Sequence, residues 1–324
     1  METVLVTGGA GFIGSNFVKF LLANNPKISI INLDKLTYAG NIQNLREVKN
    51  NPRHIFLRGD ICDKKTVEKA MKKCGTVFNF AAESHVDKSI QNASDFIKTN
   101  IFGTFVLLEA ARKNKVNNFV QISTDEVYGS IKKGKAVEKQ PLNPSNPYSA
   151  SKASAELIAL SYFKTHNLPV KITRSSNNFG PHQFPEKIIP LFATNILEGK
   201  KAEVYGSGLN SRDWLFAEDN CKGIFLAASK GKNGEVYNIG GGNEVKNIDL
   251  AKKIVKLLGK TREDITFVKD RPGHDFRYAL DSSKIKKLGF FPSKNFEKNL
   301  AATIEWYKQN EWWWKPLKGK KGAF

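Results

Sequence analysis

Cysteine, methionine and histidine are scarce: three, two and five residues in a chain of 324. The cysteines, Cys62, Cys74 and Cys221, are odd in number and form no CxxC. That argues against a disulfide frame or a zinc site and fits a reducing cytoplasm. The histidines are scattered; His85 and Asp87 make an HxD pair without a third ligand close by, so no catalytic metal is expected. No apolar run approaches the ~20 residues of a membrane span. The start, Met1-Glu2-Thr3-Val4, enters a strand-like pattern without the basic region and apolar core of a secretion signal. Repeats and low-complexity tracts are missing too. Acidic residues are outnumbered 51 to 31 by Lys and Arg, giving a formal charge of +20. The lysines are spread in pairs such as Lys64-Lys65 and Lys252-Lys253, and only Lys315 to Lys321 forms a dense cluster. With no nucleic-acid-reading motif beside it, this charge reads as a solvated surface that favours a small anionic substrate over specific nucleic-acid binding.

What is present is periodicity. Thr3–Thr7, Ile28–Leu33, His54–Leu57, Thr76–Phe80, Phe119–Ile122 and Pro169–Arg174 read as strands, with helical stretches starting near Phe12, Asp63 and Asn92. Strands alternating with helices predict an α/β fold with a Rossmann-type, doubly wound parallel sheet. From about Asn177 the pattern loosens into loops rich in Asn, Gly and Pro. Residues 1–176 are therefore expected to form a dinucleotide-binding domain. Residues 177–324 are expected to form mainly a smaller substrate-binding lobe, with some segments returning to the main sheet. Trp306 to Trp314 reads as a packed C-terminal helix. Asn92–Asn114 is apolar almost all round, so it must be covered on more than one side. Together with Tyr148–Phe163 it predicts the contact of a homodimer.

Two stretches carry chemistry. In Gly8-Gly9-Ala10-Gly11-Phe12-Ile13-Gly14, Gly8 permits a tight turn, Gly11 lets backbone N–H groups approach a pyrophosphate, and Gly14 allows close helix–strand packing. Asp34, at the end of the second strand, can accept from an adenosine ribose and would repel a 2′-phosphate, which favours NAD over NADP. Asp60, ending the third strand, is placed to meet the adenine. Further on, Tyr148 and Lys152 lie one helical turn apart behind Pro147, where a phenol can take a hydroxyl proton as hydride leaves the same carbon. Thr124-Asp125-Glu126 follows the fifth strand, in the crevice where open α/β sheets bind ligands. A plain dehydrogenase has no need of the adjacent carboxylates. Removal of water across a C–C bond needs an acid and a base, and the pair supplies both.

Over essentially its whole length the sequence resembles the dTDP-glucose 4,6-dehydratase family. The resembling stretches include TGGAGFIGSNF, NLDKLTYAGN, FNFAAESHVDKSI, STDEVYG, NPYSASKASAE, SNNFGPHQFPEKIIPLF, RDWLFAEDN, DRPGHDFRYALD and EWWWKPLKG. STDEVYG and DRPGHD together set it apart from plain epimerases. The resemblance implies Tyr148 as base at the C4 hydroxyl, aided by Lys152 and Thr124. It implies Glu126 as the base at C5, Asp125 as the acid at the C6 hydroxyl, and NAD as the hydride carrier. It adds Lys35, Thr37, Ile61, Ala81, Ala82, Thr99 and Asn178 to the cofactor site. For the substrate it implies Ser84, Asn177, Lys187, Arg212, Asn247, Arg271, His274 and Asp275. Arg212 and Arg271 suit a diphosphate clamp, or else pair structurally with Asp213 or Asp275. Departures from the family pattern are small: Arg174-Ser175-Ser176 leads into Asn177, and Phe179 stands where a Tyr is expected. The alternatives are a UDP-glucose 4,6-dehydratase with the same chemistry and, from another class, a non-catalytic NAD-binding scaffold or a basic nucleic-acid-associated protein.

Overall fold

The structure is a computed structural model that describes residues 2–270 and 274–318. The first half runs β1 (Glu2–Thr7), α1 (Phe12–Asn24), β2 (Ile28–Asp34), β3 (His54–Arg58), α2 (Lys64–Met71), β4 (Thr76–Asn79), α3 (Val86–Gln91), α4 (Ser94–Phe96), α5 (Thr104–Lys113), β5 (Asn118–Thr124), α6 (Pro147–His166) and β6 (Val170–Ser175). The second half runs β7 (Asn177–Phe179), α7 (Ile188–Leu197), β8 (Ala202–Tyr205), β9 (Ser211–Phe216), α8 (Ala217–Lys230), β10 (Glu235–Ile239), β11 (Glu244–Lys246), α9 (Asn247–Leu257), β12 (Ile265–Val268), α10 (Ser283–Lys286), α11 (Phe296–Gln309) and α12 (Glu311–Lys318). Among the described residues no helix is long and apolar enough to cross a membrane.

Seven strands form one parallel sheet in the order β10-β6-β5-β4-β1-β2-β3. Helices cover both faces, so the central strands are buried on both sides and read as near-continuous apolar runs. α1 and α8 bury Phe17, Leu21, Ile224 and Ala227 against one face. α2, α5 and α6 bury Met71, Leu107 and Ala159 against the other. All six strands expected from the sequence form. The seventh, β10, pairs with β6 from Glu235↔Lys171 to Ile239↔Ser175 and arrives from the second half of the chain. The lobe holds a three-stranded sheet β11-β9-β7 and the pair β12-β8. Its own core joins α7, α9 and α11 through Ile189, Phe192, Leu250, Ile254 and Leu300. Phe179 lies in that core, edge-on to Trp214 and Phe296. A Tyr hydroxyl there would need a buried partner.

The expected helix over 92–114 is not regular. Ile97–Gly103 between α4 and α5 is π-helical. The extra residue lets Asn100 turn inward, where its amide donates to Ser151 Oγ at 2.8 Å and to the Glu83 carbonyl at 3.0 Å. That ties the stretch to α6 and to the loop after β4.

Candidate functional site

A cleft of about 310 Å³ opens along the C-terminal ends of β1, β2, β4, β5 and β6. At one end, β1 breaks at Gly8, whose φ of +69° is open to glycine, and where an added Cβ would lie 2.6 Å from the Ala81 nitrogen. At Gly14 a Cβ would meet the Gly8 carbonyl at 2.2 Å, so α1 and the loop are in direct backbone contact. At Gly11 the nearest atom to an added Cβ is the Gly8 carbonyl at 3.3 Å, and the residue borders the cleft. α1 carries no side-chain cap, which leaves its first backbone N–H groups for a ligand. Asp34 is buried and accepts the Ala10 N–H at 2.9 Å and the Leu36 N–H at 2.8 Å, with lone pairs remaining on both oxygens. Burial pushes its carboxyl upward while those two amides pull it down. Asp60 accepts from the Cys62 N–H and pairs with Lys35 at 2.8 Å. Burial opposes its ionisation, but Lys35 and Cys62 outweigh burial and hold it below its usual value. Phe12, Ile13, Thr37, Ile61, Ala81, Ala82, Thr99 and Asn178 also line this cleft, so every cofactor residue expected from the sequence is brought to one place. A glycine cradle, an uncapped helix start and a buried carboxylate at the end of β2 fit a dinucleotide.

At the other end β5 closes with Thr124, whose Oγ1 accepts the Glu126 N–H at 3.3 Å and donates to Asp125 Oδ1 at 3.2 Å. A short 3₁₀ turn, Asp125–Tyr128, then folds the two carboxylates back against the sheet. It ends at Gly129, φ +69°, where a Cβ would strike the Asn143 carbonyl at 2.3 Å. Asp125 is 3% exposed. Burial drives its carboxyl well above the usual range, and negative charge on Glu126 and Asp213 adds to the effect. α6 begins behind a capping box in which Asn146 Oδ1 accepts the Ser149 N–H at 2.9 Å. Such a cap contributes about 1 kcal/mol. It sets Tyr148 in the first turn and Lys152 one turn on. Burial raises the Tyr148 phenol, as do Glu126 and Asp125. Lys152 is fully enclosed and donates to the Ile122 carbonyl at 2.7 Å; burial brings its ammonium down to about 8, against a smaller opposite pull from Glu156. Arg174 and Glu156 meet beneath the site in a buried ion pair at 2.5 Å. Removing either partner would cost about 3–5 kcal/mol.

Of the expected substrate residues, Ser84, Asn177 and Lys187 line the same cleft, and Lys187 Nζ donates to the Ser84 carbonyl at 3.0 Å. Arg212, Asn247, His274 and Asp275 lie outside that lining, in the adjoining lobe. Arg212 donates to the carbonyls of Ser211 and Asp275 at 2.8 Å and packs over the Tyr278 ring at 4.5 Å. Its charge still reaches Asp125, which it draws downward. Asp275 takes the hydroxyls of Ser145 and Tyr278 at 2.5 Å. His274 meets Asp270 at 2.7 Å. Asn247 starts α9 with its Oδ1 buried and unpartnered among the described residues. Arg271 lies outside the described residues.

Three groups escape the residue-by-residue reading. Glu186, buried at the cleft wall, accepts the Tyr38 hydroxyl at 3.1 Å and faces His85 Nε2 at 3.3 Å. Gln183 lines the cleft and donates to the Asn178 carbonyl at 2.9 Å. Tyr278 feels the charge of Glu126. Each lies within a stretch that carries the family resemblance, and the stretch was the only signal for it.

A family model described as GDP-mannose 4,6 dehydratase matches residues 5–303. The dTDP-glucose 4,6-dehydratase of Streptomyces niveus is 49% identical over 327 residues, spanning 99% of this chain and 97% of its own. The dTDP-glucose 4,6-dehydratase DesIV of Streptomyces venezuelae, solved with NAD bound, is 48% identical with a TM-score of 0.96, covering 98% of this chain and 100% of that one. The dTDP-glucose 4,6-dehydratase of Bacillus anthracis, solved in complex with NAD, matches at 48% identity and TM-score 0.92, again over 98% and 100% of the two chains. With the glycine cradle, the Tyr148/Lys152 helix and the Asp125–Glu126 turn all in one cleft, and the match running nearly end to end, the chain belongs to the nucleotide-sugar dehydratase family that contains the dTDP-glucose 4,6-dehydratases.

Proposed function

We propose that this chain is an NAD-dependent lyase that converts dTDP-glucose to its 4-keto-6-deoxy sugar nucleotide. The observation that carries the reading is the Asp125–Glu126 turn: one carboxyl buried and pushed upward, its neighbour at the cleft, both beside Tyr148. NAD, when bound, supplies the acceptor for the C4 hydride and the donor that returns it to C6. Tyr148 takes the C4 hydroxyl proton, with Lys152 one turn along α6 supplying positive charge and Thr124 a hydrogen bond. Glu126 removes the C5 proton, which the new C4 ketone acidifies, and gives a proton back to C5 as the returned hydride reaches C6. Asp125 gives its proton to the C6 hydroxyl, which leaves as water. A carboxyl that burial pushes toward its protonated form is suited to that step, since hydroxide itself is a poor leaving group.

Residues 1–176 hold the cofactor in this reading, and residues 177–324 receive most of the sugar nucleotide. Ser84, Asn177 and Lys187 meet the sugar side of the cleft, and Arg212 and Asn247 the diphosphate side, with Asp275 and His274 supporting the latter. A homodimer is supported by Ile97, Phe102, Phe105 and Leu157, which stand between 40% and 59% exposed on the adjacent α4–α5 and α6 stretches. A monomeric mass in solution would remove it. A reducing compartment suits Cys62, Cys74 and Cys221, all of which are thiols.

The test is mass spectrometry of dTDP-glucose and UDP-glucose after parallel incubation with the purified protein. Loss of one water from dTDP-glucose, with no stoichiometric NAD consumed, is the expected result. Faster loss from UDP-glucose would keep the chemistry and change the base. Loss from neither would remove the function.

A further inference from the structure

The middle tryptophan of Trp312-Trp313-Trp314 is joined to the glycine-rich loop by a buried chain of hydrogen bonds. Trp313 donates its indole N–H to Asn44 Oδ1 at 2.8 Å, across 269 positions of sequence. Asn44, itself 1% exposed, donates Nδ2–H to the Ala10 carbonyl at 2.9 Å. That carbonyl also accepts the Asn41 N–H at 3.0 Å. On its other side Ala10 donates its own N–H to Asp34 Oδ2 at 2.9 Å. Ala10 is thus pinned at both of its backbone polar groups, and the chain runs from α12 to the carboxylate at the end of β2.

The chain has a single sense. An indole nitrogen only donates and a backbone carbonyl only accepts, so the Asn44 amide must turn its oxygen to Trp313 and its nitrogen to Ala10. Reversing the amide would break both bonds. Trp313, Asn44, Ala10 and Asp34 are all buried, and in that setting each bond is strengthened and each break is penalised.

We propose that Trp313 and Asn44 are positioning residues for the NAD site: they fix Ala10, and through it Asp34, where its carboxylate meets the adenosine ribose. The proposal rests on the reading of this loop as the NAD site. Packing does not account for the arrangement. Trp313 also contacts the rings of His182, Trp306 and Tyr307, and a phenylalanine could make those contacts without the N–H.

The experiment is calorimetric titration of the full-length, cofactor-stripped protein with NAD, ADP-ribose and thymidine diphosphate. The variants are Trp313→Phe, Asn44→Leu and, as control, Trp312→Phe, whose indole is half exposed and bonds only to Asn310 among the described residues. Trp313→Phe and Asn44→Leu are expected to weaken NAD and ADP-ribose alike, by about five- to tenfold, the worth of one buried hydrogen bond. Thymidine diphosphate affinity, turnover at saturating NAD, and all values for Trp312→Phe should stay within about twofold of wild type. NAD binding within about twofold of wild type in a folded Trp313→Phe protein overturns the proposal. So does a parallel loss of NAD and thymidine diphosphate binding, which would mark general loosening. If Asn44→Leu does not fold, Trp313→Phe decides alone. Wild-type protein that binds no NAD would overturn the cofactor reading itself, and the proposal with it.

Discussion

The two ends of the cleft are built on opposite terms. At the glycine-loop end the backbone dominates, and Asp34 has an amide on each carboxylate oxygen. At the Asp125–Glu126 end Asp125 Oδ2, Ser123 Oγ and Asn177 Oδ1 meet no hydrogen-bond partner among the described residues, while the glycine-loop end leaves Asn32 Oδ1, beside Gly9, and Asn178 Oδ1. Unpaired buried groups of this kind are costly. The glycine-loop end is held largely by backbone hydrogen bonds. The Asp125–Glu126 end carries a buried carboxyl pushed upward by burial and by its charged neighbours, an arrangement that the rest of the fold sustains.

Asp125→Asn should break this contrast most sharply. Turnover should fall by roughly 10²–10⁴-fold with NAD affinity kept, as read by water loss in the mass spectrum. The same variant should unfold at a higher temperature at neutral pH. A carboxyl raised above 3.8 in the folded state binds more protons there than in the unfolded chain, so it loses stability as pH rises past 3.8. The advantage of Asn should therefore vanish below that pH. Gly8→Ala attacks the other end. Positive φ and a 2.6 Å clash with backbone should cost about 2–5 kcal/mol in chemical denaturation.

Lys152→Met sharpens the contrast through pH. With the ammonium lowered to about 8 from 10.5, the folded state holds fewer protons than the unfolded between those values, so wild-type stability climbs across that window. The variant should be more stable by about 1–3 kcal/mol at neutral pH, with the gap closing as pH approaches 10.5. The smallest effect belongs to His182, beside Lys19 of α1. Burial, helped by Lys19, lowers its imidazole to about 3 from 6.5, so acidification through that window protonates the unfolded chain first and destabilises the fold. His182→Asn, which tolerates the φ of +68°, should flatten the loss by about 1 kcal/mol between pH 6.5 and about pH 5.5 in thermal melts.

Local pattern carried much of this architecture. Six strands announced themselves as β-rich apolar runs, and the expected cofactor residues, most of them implied by the family resemblance, line one cleft because the ends of consecutive parallel strands converge. β10 did not, because Glu235–Ile239 is a five-residue run whose partner, β6, lies some sixty positions earlier. The π-helical stretch escaped because one inserted residue barely disturbs the apolar spacing of a long helix. Trp313 was legible as a buried aromatic, but no spacing rule points from it to Asn44. Arg212 was legible as a candidate clamp. Its bonds to the carbonyls of Ser211 and Asp275 belong to loop geometry that periodicity does not encode.

The pairing of β10 with β6 also bears on how such a molecule can be cut. A chain severed after residue 176 would leave β6 at the sheet edge, with a bare row of peptide groups beside Val170 and Ile172, which are both fully buried in the intact protein. Such an edge is a template for joining other chains. Residues 1–176 are thus no portable module. Recombination that exchanged one half for another would have to carry this one strand along or leave that edge open, so the two halves are constrained to be inherited together.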